Sequence, residues 1–179
     1  LRHPYVELVR AVSVDHVGAR LSAAHPNLEG QSPLRFEAMS PVEAADGMDV
    51  VFFALPHEVS ARQAPEVLER SDAKLIDLSG AFRCASEDAY RQWYGAEHPR
   101  PDVLSEFVYG LPELHRERIR GARAVANPGC FATTVELGLL PLARAGHLGG
   151  ALESVAITGS SGSGSSPSAG THHPVRAVN

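Results

Sequence analysis

Asp49-Val50-Val51-Phe52-Phe53-Ala54-Leu55-Pro56, the helical spacing of Ser60 to Arg70, and Ala73-Lys74-Leu75-Ile76-Asp77-Leu78-Ser79-Gly80 decide the fold of this chain of 179 residues. The outer two are short apolar runs, rich in β-branched and aromatic residues, that stop at Pro56 and at Ser79-Gly80. Such runs read as strands buried in a sheet. A strand, a helix and a second strand in succession imply an α/β fold, a mostly parallel sheet with helices on its faces. Ligands of such sheets gather at the carboxyl ends of the strands. Val6-Glu7-Leu8-Val9-Arg10-Ala11-Val12 has the same bounded look, so three ends are marked: Ser13, Leu55-Pro56-His57 and Ser79-Gly80.

Further along, Glu87 to Tyr94 reads as a helix and Ala96 to Val103 as a proline-rich loop. Arg123-Ala124-Val125-Ala126 is a short strand feeding Asn127-Pro128-Gly129-Cys130. Val135, Leu137, Leu139, Leu140 and Leu142 support a helix from Cys130, with Pro141 placed to kink it and Gly146 to end it. Leu152 to Thr158 reads as a strand. The Gly/Ser stretch from Thr158 to Pro167 follows it, and Ser163 to Gly170 alone would pass for a linker. With a strand before it and His172-His173-Pro174 after it, the stretch is read as a loop lining a site. No internal repeat is evident.

Composition narrows the function. A hydrophobic content of 44% suits an ordinary globular core. Sixteen basic against 21 acidic residues leave a formal charge of −5 with no basic stripe, which argues against nucleic acid. No apolar run reaches membrane-spanning length, and Leu1-Arg2-His3-Pro4 does not open a signal peptide. Cys84 and Cys130 share no CxxC spacing, so a reducing compartment, the cytoplasm, is expected. His172 and His173 are adjacent and would point apart on an extended chain, so no metal site is expected.

Chemistry is written most plainly in the turn before Cys130. A thiol at a tight turn that opens a helix meets the amides of the first helical turn, which stabilise a thiolate and any oxyanion formed beside it. Gly129 lets the backbone pass close to a substrate. A plain helix start is the alternative, but it leaves the Gly/Ser stretch unexplained; together the two suggest acyl chemistry. Free cysteines are commonly small buried hydrophobes, and that reading is kept for Cys84.

Five landmarks, in order, carry a resemblance: His25-Pro26; Phe53-Ala54-Leu55-Pro56-His57; Ile76-Asp77-Leu78-Ser79-Gly80-Ala81-Phe82-Arg83; Tyr109-Gly110-Leu111-Pro112-Glu113-Leu114; and Asn127-Pro128-Gly129-Cys130. Over nearly its whole length the chain resembles the N-acetyl-γ-glutamyl-phosphate reductases of arginine biosynthesis, within the aspartate-semialdehyde dehydrogenase superfamily. The resemblance implies reduction of an acyl phosphate to an aldehyde by NADPH. Cys130 would form a thioester that accepts hydride, and serine would leave a poorer ester.

The resemblance also implies roles for other residues. Arg83 would hold the substrate phosphate, for which a guanidinium fork is suited. Asn127 would donate to the thioester oxygen or else shape the turn, and Glu113 would orient the substrate or else balance a helix dipole. Ser13 would lie near the adenosine ribose, Leu55, Pro56 and Ser79 along the cofactor, and Ser161-Gly162 by the nicotinamide. Two positions depart from the pattern: Val14 stands where many members carry a basic residue for the 2′-phosphate, and Ser165 where many carry one after Gly-x-Gly. The first leaves NADPH against NADH open.

The resemblance further implies a Rossmann-like domain over residues 1–127, lacking its first strand and Gly-rich loop. Residues 128–179 would then open an α+β catalytic and dimerisation domain. The family's loop would precede Leu1 and its catalytic histidine would follow Asn179. The chain is therefore expected to be an internal stretch of a longer, homo-oligomeric enzyme and to lack turnover alone.

Competing readings are the related lysine-pathway reductase, whose substrate rides on a small acidic carrier protein and whose pattern Ser166 to Pro174 resembles; a non-catalytic interaction module; and a cysteine hydrolase. The net acidic chain suits an acidic carrier poorly. Aspartate-semialdehyde dehydrogenase itself lacks the Pro-Gly found before Cys130, and a hydrolase would leave Asp77 to Arg83 unexplained.

Overall fold

The computed structural model describes residues 3–159. They fall into two compact units, the first ending at Gly129 and the second beginning at Cys130.

The first unit is α/β. Strand β1 (Ala11–Val12) pairs in parallel with β2 (Phe36–Glu37), with the short helix α1 (Leu21–Ala24) between them in the chain. Helix α2 (Pro41–Ala45) precedes β3 (Val50–Phe53), which is followed by α3 (His57–Arg70), β4 (Lys74–Asp77) and α4 (Glu87–Tyr94). A 3₁₀ turn at Pro101–Glu106 leads into β5 (Phe107–Tyr109), α5 (Pro112–Gly121) and β6 (Ala124–Ala126). Strands β3 to β6 form one wholly parallel sheet in the order β3-β4-β6-β5.

Each element follows from its residues. Helix α3 buries Ser60, Ala61, Ala64, Val67 and Leu68, one face at helical spacing, against the sheet. Ser40 and Glu43 close a reciprocal capping box on α2. The Ser40 amide and hydroxyl also hold the Glu43 carboxyl below its ordinary value. Ser86 caps α4 by accepting from the Ala89 amide, and Gly95, at φ 69°, ends it in the left-handed region. The core gathers Phe53, Ala61, Ala64, Val67, Leu75, Ala81, Phe82, Phe107 and Ala124.

Two expected strands are corrected. Val6 to Val12 contributes only Ala11–Val12, and Val6, Leu8 and Val9 are exposed, because β2 offers two rungs and no more. Leu152 to Thr158 forms no strand; its apolar residues meet no ladder among the described residues, and Ile157 is 98% exposed. Strands β2 and β5 went unread; β2 has only two residues, too few for alternation to show. In the second unit, α6 (Cys130–Arg144) runs through Pro141, and Gly146 follows its end at φ 72°.

An aromatic column ties the loops above the sheet together. Phe82 stacks on Phe107 at 3.9 Å and meets the edge of His98 at 5.3 Å, while His98 meets Tyr90 at 4.8 Å. His98 is 3% exposed; its Nδ1 accepts from the Arg100 amide, and its Nε2 faces the Ala81 backbone without completing a hydrogen bond. Burial pushes the imidazole below its ordinary value. The unfolded chain therefore takes up a proton near pH 6.5 that the folded chain refuses. Unfolding free energy from urea titrations is expected to be full well above pH 6.5 and to fall as the pH drops through 6.5 toward 5.5. In His98→Phe that slope is expected to flatten; an unchanged slope would assign the proton uptake elsewhere.

Candidate functional site

Because β3, β4, β6 and β5 are parallel, their carboxyl ends share one edge, and their last residues Phe53, Asp77, Ala126 and Tyr109 stand in one register row. The ladder continues one step past each strand. Leu78 N donates to Phe53 O, Asn127 N to Asp77 O and Gly110 N to Ala126 O, each at 2.8 Å. Thus the Leu55-Pro56-His57, Leu78 to Arg83 and Asn127 to Gly129 segments all leave from this edge.

Asp77, 0% exposed, organises it. One carboxylate oxygen accepts from Ser60 Oγ at 2.7 Å and from Ser79 N at 3.2 Å, and the other accepts from Ser79 Oγ at 2.7 Å. Ser79 Oγ in turn accepts from Ala81 N at 3.1 Å. A buried carboxylate is stable only where such donors replace its water. Asp77 therefore ties α3 to the loop after β4, and the Ser79 hydroxyl is committed inside that loop.

The next residues are shaped by close approach. Gly80 N donates to His57 Nδ1 at 2.5 Å, so the neutral ring carries its proton on Nε2. A Cβ at Gly80 would collide with the His57 ring and lie 2.5 Å from the Tyr94 hydroxyl oxygen. Ala81 and Phe82 are buried, and Arg83 emerges beyond them.

Arg83 is clamped between two loops. Its Nε donates to Asn127 O at 2.8 Å and its Nη2 to Leu78 O at 2.9 Å. Nη1 lies 3.1 Å from where a Gly129 Cβ would stand. Of the five guanidinium donors, the pair on Nη1 and one on Nη2 remain, an end-on fork suited to an oxyanion.

Cys130 is exposed and is the first residue of α6; its carbonyl accepts from Thr134 Oγ1 at 2.8 Å. Within the second unit, Cys130, Phe131, Thr134 and Leu139 line a groove of about 450 Å³ with Val155 and Ile157. Cys84 differs, since burial pushes its thiol up and disfavours the thiolate.

Leu55, Pro56, Ser79, Arg83 and Asn127 are thus brought to one edge of the sheet. Pro56 stands at the start of α3 with no side-chain cap, and the Asn127 side chain donates to Pro128 O at 3.1 Å. Ser13 belongs to the other sheet, at the end of β1, where its Oγ accepts from the Asp15 and His16 amides. Ser161 and Gly162, like His172 and His173, lie outside the described residues. Sequence reasoning passed over Ser60 and Tyr94, whose roles depend on partners 17 residues away for Ser60 and on packing for Tyr94. Among the described residues no cluster of three or more His, Cys, Asp or Glu side chains could hold a metal ion, and no helix is long and apolar enough to cross a membrane.

Residues 1–122 match the family model of the semialdehyde dehydrogenase NAD binding domain, and residues 130–179 match the semialdehyde dehydrogenase dimerisation domain. A putative [LysW]-L-2-aminoadipate 6-phosphate reductase of Thermomicrobium roseum is 45% identical over 98% of this chain and 49% of its own. An N-acetyl-gamma-glutamyl-phosphate reductase of Methanopyrus kandleri is also 45% identical, over 97% of this chain and 50% of its own. A [LysW]-L-2-aminoadipate/[LysW]-L-glutamate phosphate reductase of Sulfurisphaera tokodaii is 41% identical over 97% and 50%. The chain spans about half the length of the curated relatives it matches.

Asp77→Asn would turn an amide N–H₂ toward Ser60 or Ser79, donor against donor, and is expected to cost about 1–3 kcal/mol. Gly80→Ala is expected to cost a similar ~1–3 kcal/mol by overpacking against His57 and Tyr94. Urea unfolding checks both; a loss below half a kcal/mol in either, on the order of surface substitutions, would contradict the packing described.

Proposed function

The chain belongs to the semialdehyde dehydrogenase family, and from that premise we propose that its protein is a nicotinamide-dependent reductase of an acyl phosphate, with N-acetyl-γ-glutamyl phosphate as substrate. The observation that supports this reading is the Arg83 clamp: a guanidinium with an unused end-on fork, fastened to the Asn127 carbonyl three residues ahead of an exposed cysteine at a helix start.

The Cys130 thiolate attacks the acyl carbon, the C–S bond forms, and the C–O bond to phosphate breaks with its electron pair leaving on inorganic phosphate. Arg83 neutralises charge on that leaving group. Asn127 is the candidate donor to the oxygen of the acyl carbon, after its side chain turns from Pro128 O. When bound, a nicotinamide dinucleotide supplies the hydride that reduces the thioester carbon. Loss of the C–S bond then releases the aldehyde and returns the thiolate.

The carboxyl edge of the parallel sheet, with the uncapped start of α3 after β3, fits a dinucleotide. Leu55 and Pro56 would lie along it. Ser79 would contribute through its backbone, its hydroxyl being committed to Asp77 and Ala81. Ser13 is assigned to the ribose, and Ser161-Gly162 to the nicotinamide end. NADP(H) is the proposed cofactor, although Val14 supplies no cation for a 2′-phosphate. The dimerisation-domain match supports a homo-oligomer, and the two free cysteines a cytoplasmic location.

A second substrate has its own support: relatives named for LysW-borne aminoadipate match at 45% and 41% identity. The net charge of −5 favours the small N-acetylated substrate over an acidic carrier.

The protein with its natural ends is expected to reduce NADP⁺ in the presence of N-acetylglutamate semialdehyde only when inorganic phosphate is added. Cys130→Ser is expected to lower the rate by at least about a thousandfold. Reduction without phosphate, or an active serine variant, would overturn the mechanism. Activity confined to the carrier-borne semialdehyde would move the substrate to the second reading.

A further inference from the structure

We propose that Arg20 and Arg35 supply the positive charge that reads the 2′-phosphate of NADP(H) and so select that cofactor over NAD(H); the inference rests on the nicotinamide dependence and the ribose role of Ser13 given above. Val14, beside Ser13, is 91% exposed and brings no cation to the loop that follows β1. Both ends of that loop are fastened to β2. Ser13 N donates to Glu37 O at 3.3 Å, and Gly18 N donates to Phe36 O at 2.8 Å. Carbonyls of successive strand residues point to opposite sides, so Ser13 and Gly18 flank the strand, about 10 Å apart at the usual strand spacing. A ribose seated at Ser13 and carrying a phosphate covers much of that gap.

The arginines stand at the Gly18 end. Leu21 N donates to Leu34 O at 3.1 Å and Phe36 N to Ala19 O at 2.9 Å, which makes Arg20 and Arg35 a directly opposed antiparallel pair with no main-chain bond between them. In such a pair the two side chains leave the same face at their closest spacing. Like charges so placed repel. Among the described residues neither guanidinium makes an ion pair, whereas Arg70 pairs with Glu66 and Arg100 with Asp102. Glu37, two residues past Arg35, and Asp15, inside the loop, pair with neither. Arg35 Nη1 donates to Gly18 O at 2.7 Å, which carries the guanidinium to the end of the Ser13 loop and leaves its other N–H groups for a ligand. A phosphate dianion between the two arginines relieves their repulsion and accepts from both forks. NADP(H) carries that group on its adenosine ribose; NAD(H) carries a hydroxyl there.

In the protein with its natural ends, calorimetry with NADP⁺, NAD⁺ and the fragments 2′,5′-ADP and 5′-AMP reads the preference apart from turnover. The wild type is expected to bind NADP⁺ and 2′,5′-ADP at least about tenfold more tightly than the counterparts without the 2′-phosphate. Arg20→Gln is expected to weaken NADP⁺ binding roughly tenfold, with a far smaller change for NAD⁺. Its unfolding free energy in urea is expected to stay level or rise, because a repelling charge is gone. Arg35→Gln is expected to weaken NADP⁺ likewise, and the double variant to bind NADP⁺ and NAD⁺ alike. A wild type that bound NAD⁺ as tightly as NADP⁺, or a double variant that kept the wild-type preference, would overturn the assignment and leave the reductase reading intact. Equal loss of NADP⁺ and NAD⁺ in Arg20→Gln would overturn it too, by making the arginine serve the fold or the shared part of the dinucleotide. A wild type that bound neither dinucleotide would sink the nicotinamide dependence first, and this inference with it.

Discussion

The edge of the sheet depends on one buried carboxylate. Asp77 ends the second strand of the four-stranded sheet, and it receives two serine hydroxyls and a main-chain amide with no cation among those partners. Had Asp77 been paired with arginine or lysine, the cation would be spent in the core. Neutral donors satisfy it instead, and Arg83, six positions on, keeps its charge for the edge. Through its backbone carbonyl Asp77 also receives the Asn127 amide, so the turn before Cys130 is registered on the residue that shapes the Ser79 loop.

Around that carboxylate, space is as important as bonding. Gly80 must lack a Cβ for His57 and Tyr94 to approach, and Gly110 must lack one where the Val125 side chain and the Ala126 carbonyl crowd it. At Gly129 the missing side chain leaves room for the Arg83 fork. None of these three has a positive φ. Their shared requirement is close approach of a neighbouring chain segment rather than the left-handed turn that glycine makes easy.

Much of this was legible in the chain. Apolar runs bounded by Pro56 and Ser79-Gly80 gave away β3 and β4, although β3 leaves Val50 and Phe52 exposed and buries only its other face. Helix α4 was legible between Ser86 and Gly95, a cap and a left-handed stop. The bounded, β-branched look of Val6 to Val12 misled because strand residues become a strand only where a partner pairs with them, and β2 is two residues long. Ser40-Pro41-Val42-Glu43 carried a capping-box signal that would have located α2. Ser60 and Tyr94 were beyond reach from sequence: one caps a carboxylate across the sheet and helix, and the other matters through the ring it touches.

On the phosphate role proposed for Arg83, the clamp gives a reason for arginine rather than mere positive charge at position 83. Joining the Leu78 and Asn127 carbonyls takes two N–H vectors in a fixed plane, and binding an oxyanion afterwards takes at least two more. An ammonium has three donors on one rotating atom. It could satisfy both carbonyls or face the oxyanion with a fork, but not do both, and its position would follow the carbonyls as the loops moved. With guanidinium, the bonds that bind the two loops together orient the donors left for the ligand. Structural cohesion and recognition are then one arrangement, so a change that loosens the loops also misdirects the fork.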